Sequence, residues 1–217
     1  MPEKQFNTAG PSKADLHYVL DPLARIDLEE VLGLIEAQRY FVLHAPRQTG
    51  KTTALLALME HLNRQGRYRA LYANIETAQA ARGQVERGIE AACSAVARSA
   101  ALYLKDASLD DWLLRGEGRS TAAEEKFSRL LAHWSAADPA RPAVLLLDEV
   151  DALIGDTLIS LLRQIRAGYA QRPMAFPQTV VLCGVRDVRD YRIHSGDGEI
   201  ITGGSAFNIK AASIRLG

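Results

Sequence analysis

Tyr40-Phe41-Val42-Leu43-His44-Ala45-Pro46-Arg47-Gln48-Thr49-Gly50-Lys51-Thr52-Thr53 is the stretch that decides how this chain is read. An apolar run leads into a short polar loop, and the loop closes with Gly50-Lys51-Thr52. Beyond it Leu55, Leu58, Met59 and Leu62 recur at i, i+3, i+4 and i+7, one face of a helix. Strand, loop and helix in that order are the context in which such a loop cradles phosphate. The physics is local. A helix N-terminus presents unpaired backbone N–H groups and the positive end of its dipole to an anion. Gly50 has no Cβ, so the backbone can pass close to the phosphates. Lys51 is placed to reach the β- and γ-phosphates of a nucleotide as a point charge. The Thr52 hydroxyl can offer Mg²⁺ an oxygen. Ala45, Pro46, Arg47, Gln48, Thr49, Gly50, Lys51, Thr52 and Thr53 are therefore the expected nucleotide-binding set, with Arg47 adding a second positive charge. Ala45 departs from the usual G-x-x-x-x-G-K-[ST] pattern, in which the first position is glycine. If that position needs positive φ, alanine strains the loop; if it does not, the site survives. A glycine turn opening a helix, followed by a surface lysine, would look the same in isolation. The flanking strand and helix argue against it.

The second chemical stretch is Val144-Leu145-Leu146-Leu147-Asp148-Glu149-Val150-Asp151. A fully apolar run ending in carboxylates reads as a central parallel strand that delivers them at its C-terminal edge. It has the form of a Walker B strand followed by D-E-x-D, in which Asp148 holds Mg²⁺ through its water shell and Glu149 polarises the attacking water. The competing reading is a buried strand followed by acidic residues that suit a helix N-terminus. The phosphate-binding stretch upstream favours the first. Further on, Thr179-Val180-Val181-Leu182-Cys183-Gly184-Val185 reads as another buried strand. Arg186 stands at its end as a candidate γ-phosphate sensor, or as a surface arginine opposing Asp187 or Asp190. Lys51, Glu149 and Arg186 are thus the expected catalytic residues, and Thr52 and Asp148 the expected metal ligands.

The rest of the chain constrains less. Its 217 residues are 47% hydrophobic and 24% charged, ordinary for a globular protein. Lys plus Arg and Asp plus Glu number 26 each, so net charge gives no global argument for a nucleic-acid partner. Local basic faces stay open, because Arg outnumbers Lys. Cys93 and Cys183 form no C-x-x-C and lie in apolar surroundings, which reads as buried free thiols in a reducing, cytoplasmic setting. Met1 to Lys13 lacks the apolar core of a signal peptide, and no run approaches the ~20 apolar residues of a membrane span.

Residues 1–14 read as a flexible N-terminal segment and 15–217 as one α/β core. Tyr18 to Pro22 reads as extended. Asp27 is expected to cap a helix reaching about Ala37. Arg67 to Ile75 reads as a strand, Thr77 to Leu104 as one long Ala-rich helix, and Leu109 to Leu114 as a short helical turn. Gly116-Glu117-Gly118 reads as a flexible break, and Thr121 to Trp134 as a helix. Leu158, Leu161, Leu162 and Ile165 mark a further helix. His194 to Gly198 reads as a mobile loop, and Ile209 to Leu216 as a last strand.

Taken together, H-A-P-R-Q-T-G-K-T-T, L-L-L-D-E-V-D, V-L-C-G-V-R-D-V-R-D-Y-R and F-N-I-K-A-A-S-I-R-L-G resemble the prokaryotic AAA-like predicted ATPases. These are relatives of the AAA+ and STAND ATPases, and the resemblance covers about residues 18–217. It implies a three-layer P-loop NTPase fold with a central parallel sheet in the ASCE strand order 5-1-4-3-2. It also implies ATP with Mg²⁺ and a glutamate-activated water. In such proteins a helical lid and often another domain follow the core. This chain stops after the expected last strand, so the expectation is slow turnover alone, completed by self-association or a C-terminal partner domain.

Two functions fit best: an ATP hydrolase that drives conformational change in a larger protein or assembly, and a slowly hydrolysing nucleotide-dependent switch or scaffold that binds partners. A small-molecule phosphotransferase is disfavoured by Glu149 beside Asp148, a GTPase by the lack of N-K-x-D, and a two-domain helicase by chain length.

Overall fold

The computed structural model describes residues 5–6, 15–18, 20–185, 192–194, 200–202 and 207–216. Five strands form one parallel sheet: β1 (Tyr40–His44), β2 (Arg69–Asn74), β3 (Ala143–Asp148), β4 (Thr179–Gly184) and β7 (Lys210–Arg215). Its order is β2-β3-β4-β1-β7, which, read from the other edge with the strands counted along the chain, is 5-1-4-3-2. A separate antiparallel pair joins β5 (Arg192–His194) to β6 (Ile200–Thr202), a pairing the sequence did not suggest. The connecting helices are α1 (Leu28–Glu36), α2 (Lys51–Gln65), α3 (Val85–Ser99), α4 (Ser108–Leu114), α5 (Ala123–Ala136) and α6 (Gly155–Ala167).

The strands β1 to β4 are almost wholly buried, and their period-2 alternation sorts side chains between two cores. Val42, Leu71, Leu145, Leu147, Val180 and Leu182 face α3, α5 and α6, whose Ile89, Val96, Leu130, Trp134, Leu161 and Ile165 cover them. Phe41, Leu43, Ala70, Tyr72, Val144, Leu146, Val181 and Cys183 face α1 and α2, where Val31, Ile35, Leu55, Leu58 and Leu62 cover them. The result is the three-layer helix–sheet–helix sandwich that a buried parallel sheet requires.

Most elements lie where the periodicity places them. Asp27 caps α1 by accepting from the Glu30 N–H at 3.0 Å. Gly66 ends α2 in the left-handed region, with φ 70°. Three expectations need correction. The long helix from Thr77 to Leu104 is broken: a 3-10 turn (Glu76–Ala81) precedes α3, and a single π-helical turn (Ala100–Leu104) follows it. Arg82, at φ 51°, supplies the break, and an Ala-rich pattern does not reveal it. The glycine break is a short 3-10 turn (Glu117–Arg119), with Gly118 buried against Trp112. At the N-terminus the extended reading of Tyr18 to Pro22 fails at its last residue: Pro22 opens a 3-10 turn (Pro22–Arg25) capped by Asp21, because a proline is tolerated at the first helical position. Of the segment 1–14 only Gln5 and Phe6 are described, and Gln5 bridges His17. Residues 195–198 of the expected loop lie outside the described residues. Among the described residues, no helix is long and apolar enough to cross a membrane.

Candidate functional site

The strand order brings the two motif strands within one strand of each other. β4 lies between β1 and β3, and all three end at the same edge of the sheet. The crevice beyond the carboxyl ends of the strands is where open α/β sheets bind ligands.

The loop after β1 is shaped by its own backbone. The Ala45 N–H donates to Gly184 O at 3.3 Å, tying the loop's start to β4. Ala45 is fully buried and is not among the residues with positive φ. The alanine therefore introduces no left-handed strain where a glycine is usual. The turn is made later, by Gln48 at φ 61° and by Gly50 at φ 85°, the residue that caps α2. The Thr49 hydroxyl donates to Pro46 O at 2.7 Å, closing the loop on itself. From outside, an Arg25 guanidinium N–H donates to Thr49 O at 2.7 Å. Pro46, Arg47, Gln48 and Gly50 are exposed, whereas Thr49, Thr52 and Thr53 are half-buried. The first turn of α2 carries no acidic side chain to compete with an anion for its N–H groups. Lys51 is 6% exposed, and its Nζ donates to Ala45 O and to Pro46 O, both at 3.0 Å.

Asp148 ends β3, and its side chain is fully buried. Following Val144 and Leu146 by the strand period, it points to the α2 side of the sheet. There the Thr52 hydroxyl donates to Asp148 Oδ2 at 2.8 Å, joining residues 96 apart in sequence. The Tyr72 hydroxyl donates to the same oxygen at 3.1 Å, and the Glu149 N–H donates to Oδ1 at 2.9 Å. Burial, and then the Asp148 charge, push the Tyr72 phenol and the Cys183 thiol well above their usual ranges, so both groups stay protonated.

Glu149 is half-buried and takes the left-handed conformation, φ 58° and ψ 41°, which costs a non-glycine residue about 1–2 kcal/mol. Burial is the main force raising its carboxyl above the ordinary range; the Asp148 and Asp151 charges add to it and Lys51 opposes it. Asp151 keeps one buried oxygen, Oδ1, without a hydrogen-bond partner.

Lys51, Thr52, Asp148 and Glu149 therefore meet at one edge of the sheet. Arg186 lies outside the described residues. Tyr72 and Arg25 did not stand out in the sequence. A tyrosine near the end of a buried strand was the only signal for the first, and nothing marked the second. Among the described residues, no cluster of three His, Cys, Asp or Glu side chains could hold a metal by itself. One carboxylate and one hydroxyl do suit Mg²⁺, which keeps several waters and shares substrate phosphates.

The family model described as an AAA domain matches residues 35–191, so the chain belongs to the AAA domain family. Its fold and family define a nucleotide-binding, P-loop ATPase-like domain. The chain is similar in structure to Cdc6p from Pyrobaculum aerophilum, at 22% identity and a TM-score of 0.54, over 87% of this chain and 43% of that one. It is similar to a chain in the structure of Drosophila ORC bound to poly(dA/dT) DNA and Cdc6, at 12% identity and a TM-score of 0.52, over 88% and 28%. It is also similar to a Walker-type ATPase of Pyrococcus abyssi, at 18% identity and a TM-score of 0.50, over 88% and 53%. The chain thus spans less than two thirds of each of these structures, and the likeness is one of fold. No curated protein matches the chain.

Proposed function

We propose that a core spanning residues 15–217 binds Mg·ATP in the loop between β1 and α2 and hydrolyses it. The observation that carries this reading is the 2.8 Å hydrogen bond from Thr52 to Asp148, which joins the phosphate-binding loop to the acidic strand. The α2 N-terminus and the loop's backbone N–H groups bind the phosphates. Lys51 exchanges its two carbonyl partners for phosphate oxygens. Thr52 and Asp148 hold the cation, which neutralises charge on the transferring phosphoryl group when bound. Glu149 orients a water for attack at the γ-phosphorus and accepts its proton; the bond to the ADP oxygen breaks, and ADP and phosphate leave. Arg186 is proposed as a sensor at the same phosphate.

What turnover moves is also a proposal: self-association or a partner domain is the reading that fits a core of this kind. The Drosophila relative's structure contains DNA, and here the balanced charge gives no global pull toward it.

The test is ATP binding and phosphate release by the chain and by Lys51→Ala, across protein concentrations and with added DNA. Removing the one buried ammonium in the loop is expected to abolish measurable binding or turnover, since a charge-assisted contact is worth ~1.5–3 kcal/mol. Binding and turnover unchanged in Lys51→Ala would sink the proposal.

A further inference from the structure

Asp148 Oδ2 accepts from two hydroxyls, and only one of them belongs to the phosphate-binding loop. The second, on Tyr72, comes from the neighbouring strand. β2 pairs with β3 in a register that sets Tyr72 opposite Leu146, so Tyr72 is one step diagonal to Asp148 on the same face of the sheet. Tyr72 is 5% exposed and packs within the core between the sheet and α2. Its ring is held from the other side by Tyr103, edge-on at 6.1 Å and 80°, on the π-helical turn that ends α3. A buried phenol held by packing, with its hydroxyl donating to a carboxylate oxygen, is fixed in place by that bond.

We infer that Tyr72 is a positioning residue for the cation of the ATP site, acting through Asp148. The inference rests on the function proposed above. The two hydroxyls have different fates when Mg·ATP binds. Thr52 gives a lone pair of its oxygen to the cation while its O–H goes on donating to Asp148, so its hydroxyl is shared between the two. Tyr72 comes from β2 rather than from the loop; its hydroxyl lies beside that of Thr52, and it keeps its bond to Asp148. It fixes the rotamer of Asp148 and leaves the remaining lone pairs aimed at the cation's water shell. Partners of this kind, one step removed from the metal, orient its ligands, and their loss typically lowers metal affinity by about 10–100-fold. Tyr72 thus serves the cation rather than the nucleotide.

The experiment compares wild type with Tyr72→Phe, which keeps the ring and its contact with Tyr103. Binding of a fluorescent ATP analogue is measured in EDTA and against free Mg²⁺, and thermal unfolding is measured without nucleotide. The expected result is equal affinity in EDTA, a Mg²⁺ midpoint raised about tenfold or more in the variant, and partial restoration by Mn²⁺. An unchanged Mg²⁺ midpoint overturns the inference. So does an equal loss of affinity with and without Mg²⁺, which would make Tyr72 a packing residue. A second measurement leaves the hydroxyl in place. The ¹⁹F signal of 3-fluorotyrosine at position 72 is expected to shift when Mg²⁺ is added to the nucleotide-bound chain, but not when nucleotide is added in EDTA; no Mg²⁺-dependent shift overturns the inference. A wild-type chain that binds no nucleotide in either condition overturns the proposed function and this inference with it.

Discussion

Glu149, proposed above as the base, holds its place at a cost in backbone strain. Its left-handed conformation is what turns the chain out of β3 while its N–H reaches back to Asp148. Glu149→Gln preserves shape and removes the basic oxygen. ATP should still bind while hydrolysis drops by roughly 10²-fold or more, read as phosphate release beside an equilibrium binding titration. Loss of binding instead would make Glu149 a metal or structural residue. The motif residues were legible because their spacing is fixed by local geometry: Lys51 and Thr52 follow Gly50 onto a helix, and Asp148 ends an apolar run. Tyr72 was not legible in the same way. The alternation within β2 gives each residue's parity, but which face meets Asp148 depends on the strand register, and single-sequence periodicity does not contain it.

Helix boundaries show the same division. The apolar stripes of α1, α2, α5 and α6 announce those helices, because each buries one face against the sheet. The interruption after Ala81 left no such mark, since alanine suits a helix and a tight turn alike. Gly88, inside α3, has a reason that only packing reveals. A Cβ there would lie 2.2 Å from Thr157 Cγ2, where α6 crosses close to α3. Thr157 is fully buried, and its hydroxyl donates to Arg82 O at 3.1 Å. Gly88→Ala should therefore destabilise by ~1–3 kcal/mol through overpacking, although alanine is favoured by about 1 kcal/mol in a helix interior. Adding Thr157→Ser removes the obstructing methyl and keeps the hydroxyl. The double variant should recover most of the loss in chemical denaturation, and a single variant as stable as wild type would show that the helices can part freely.

At the scale of the whole molecule, several dissociable protons are sealed inside. Burial pushes the Cys93 thiol up to about 12 and raises Cys183, Tyr40 and Tyr72 as well. The unfolded chain releases such protons from about pH 8.5 for cysteine and about pH 10 for tyrosine. The folded chain holds them, so their contribution is intact below those values and is lost as pH rises. The slope approaches ~1.4 kcal/mol per pH unit for each fully titrating group. The melting temperature should be flat to about pH 8 and fall steeply between about pH 9 and 11; a flat profile to pH 11 would show that water reaches these groups in the folded state. The sheet that seals them also partitions the molecule. Thr52, Tyr72 and Cys183 all lie on the α1–α2 side with the Asp148 carboxyl, and the larger core under α3, α5 and α6 lies behind the strands. Descendants of this sequence can therefore rewrite most of the far helices, and whatever those helices recognise, provided Tyr103 at the end of α3 still packs on the Tyr72 ring. The architecture leaves most of one half of the protein free to drift, tied to the other at that aromatic contact.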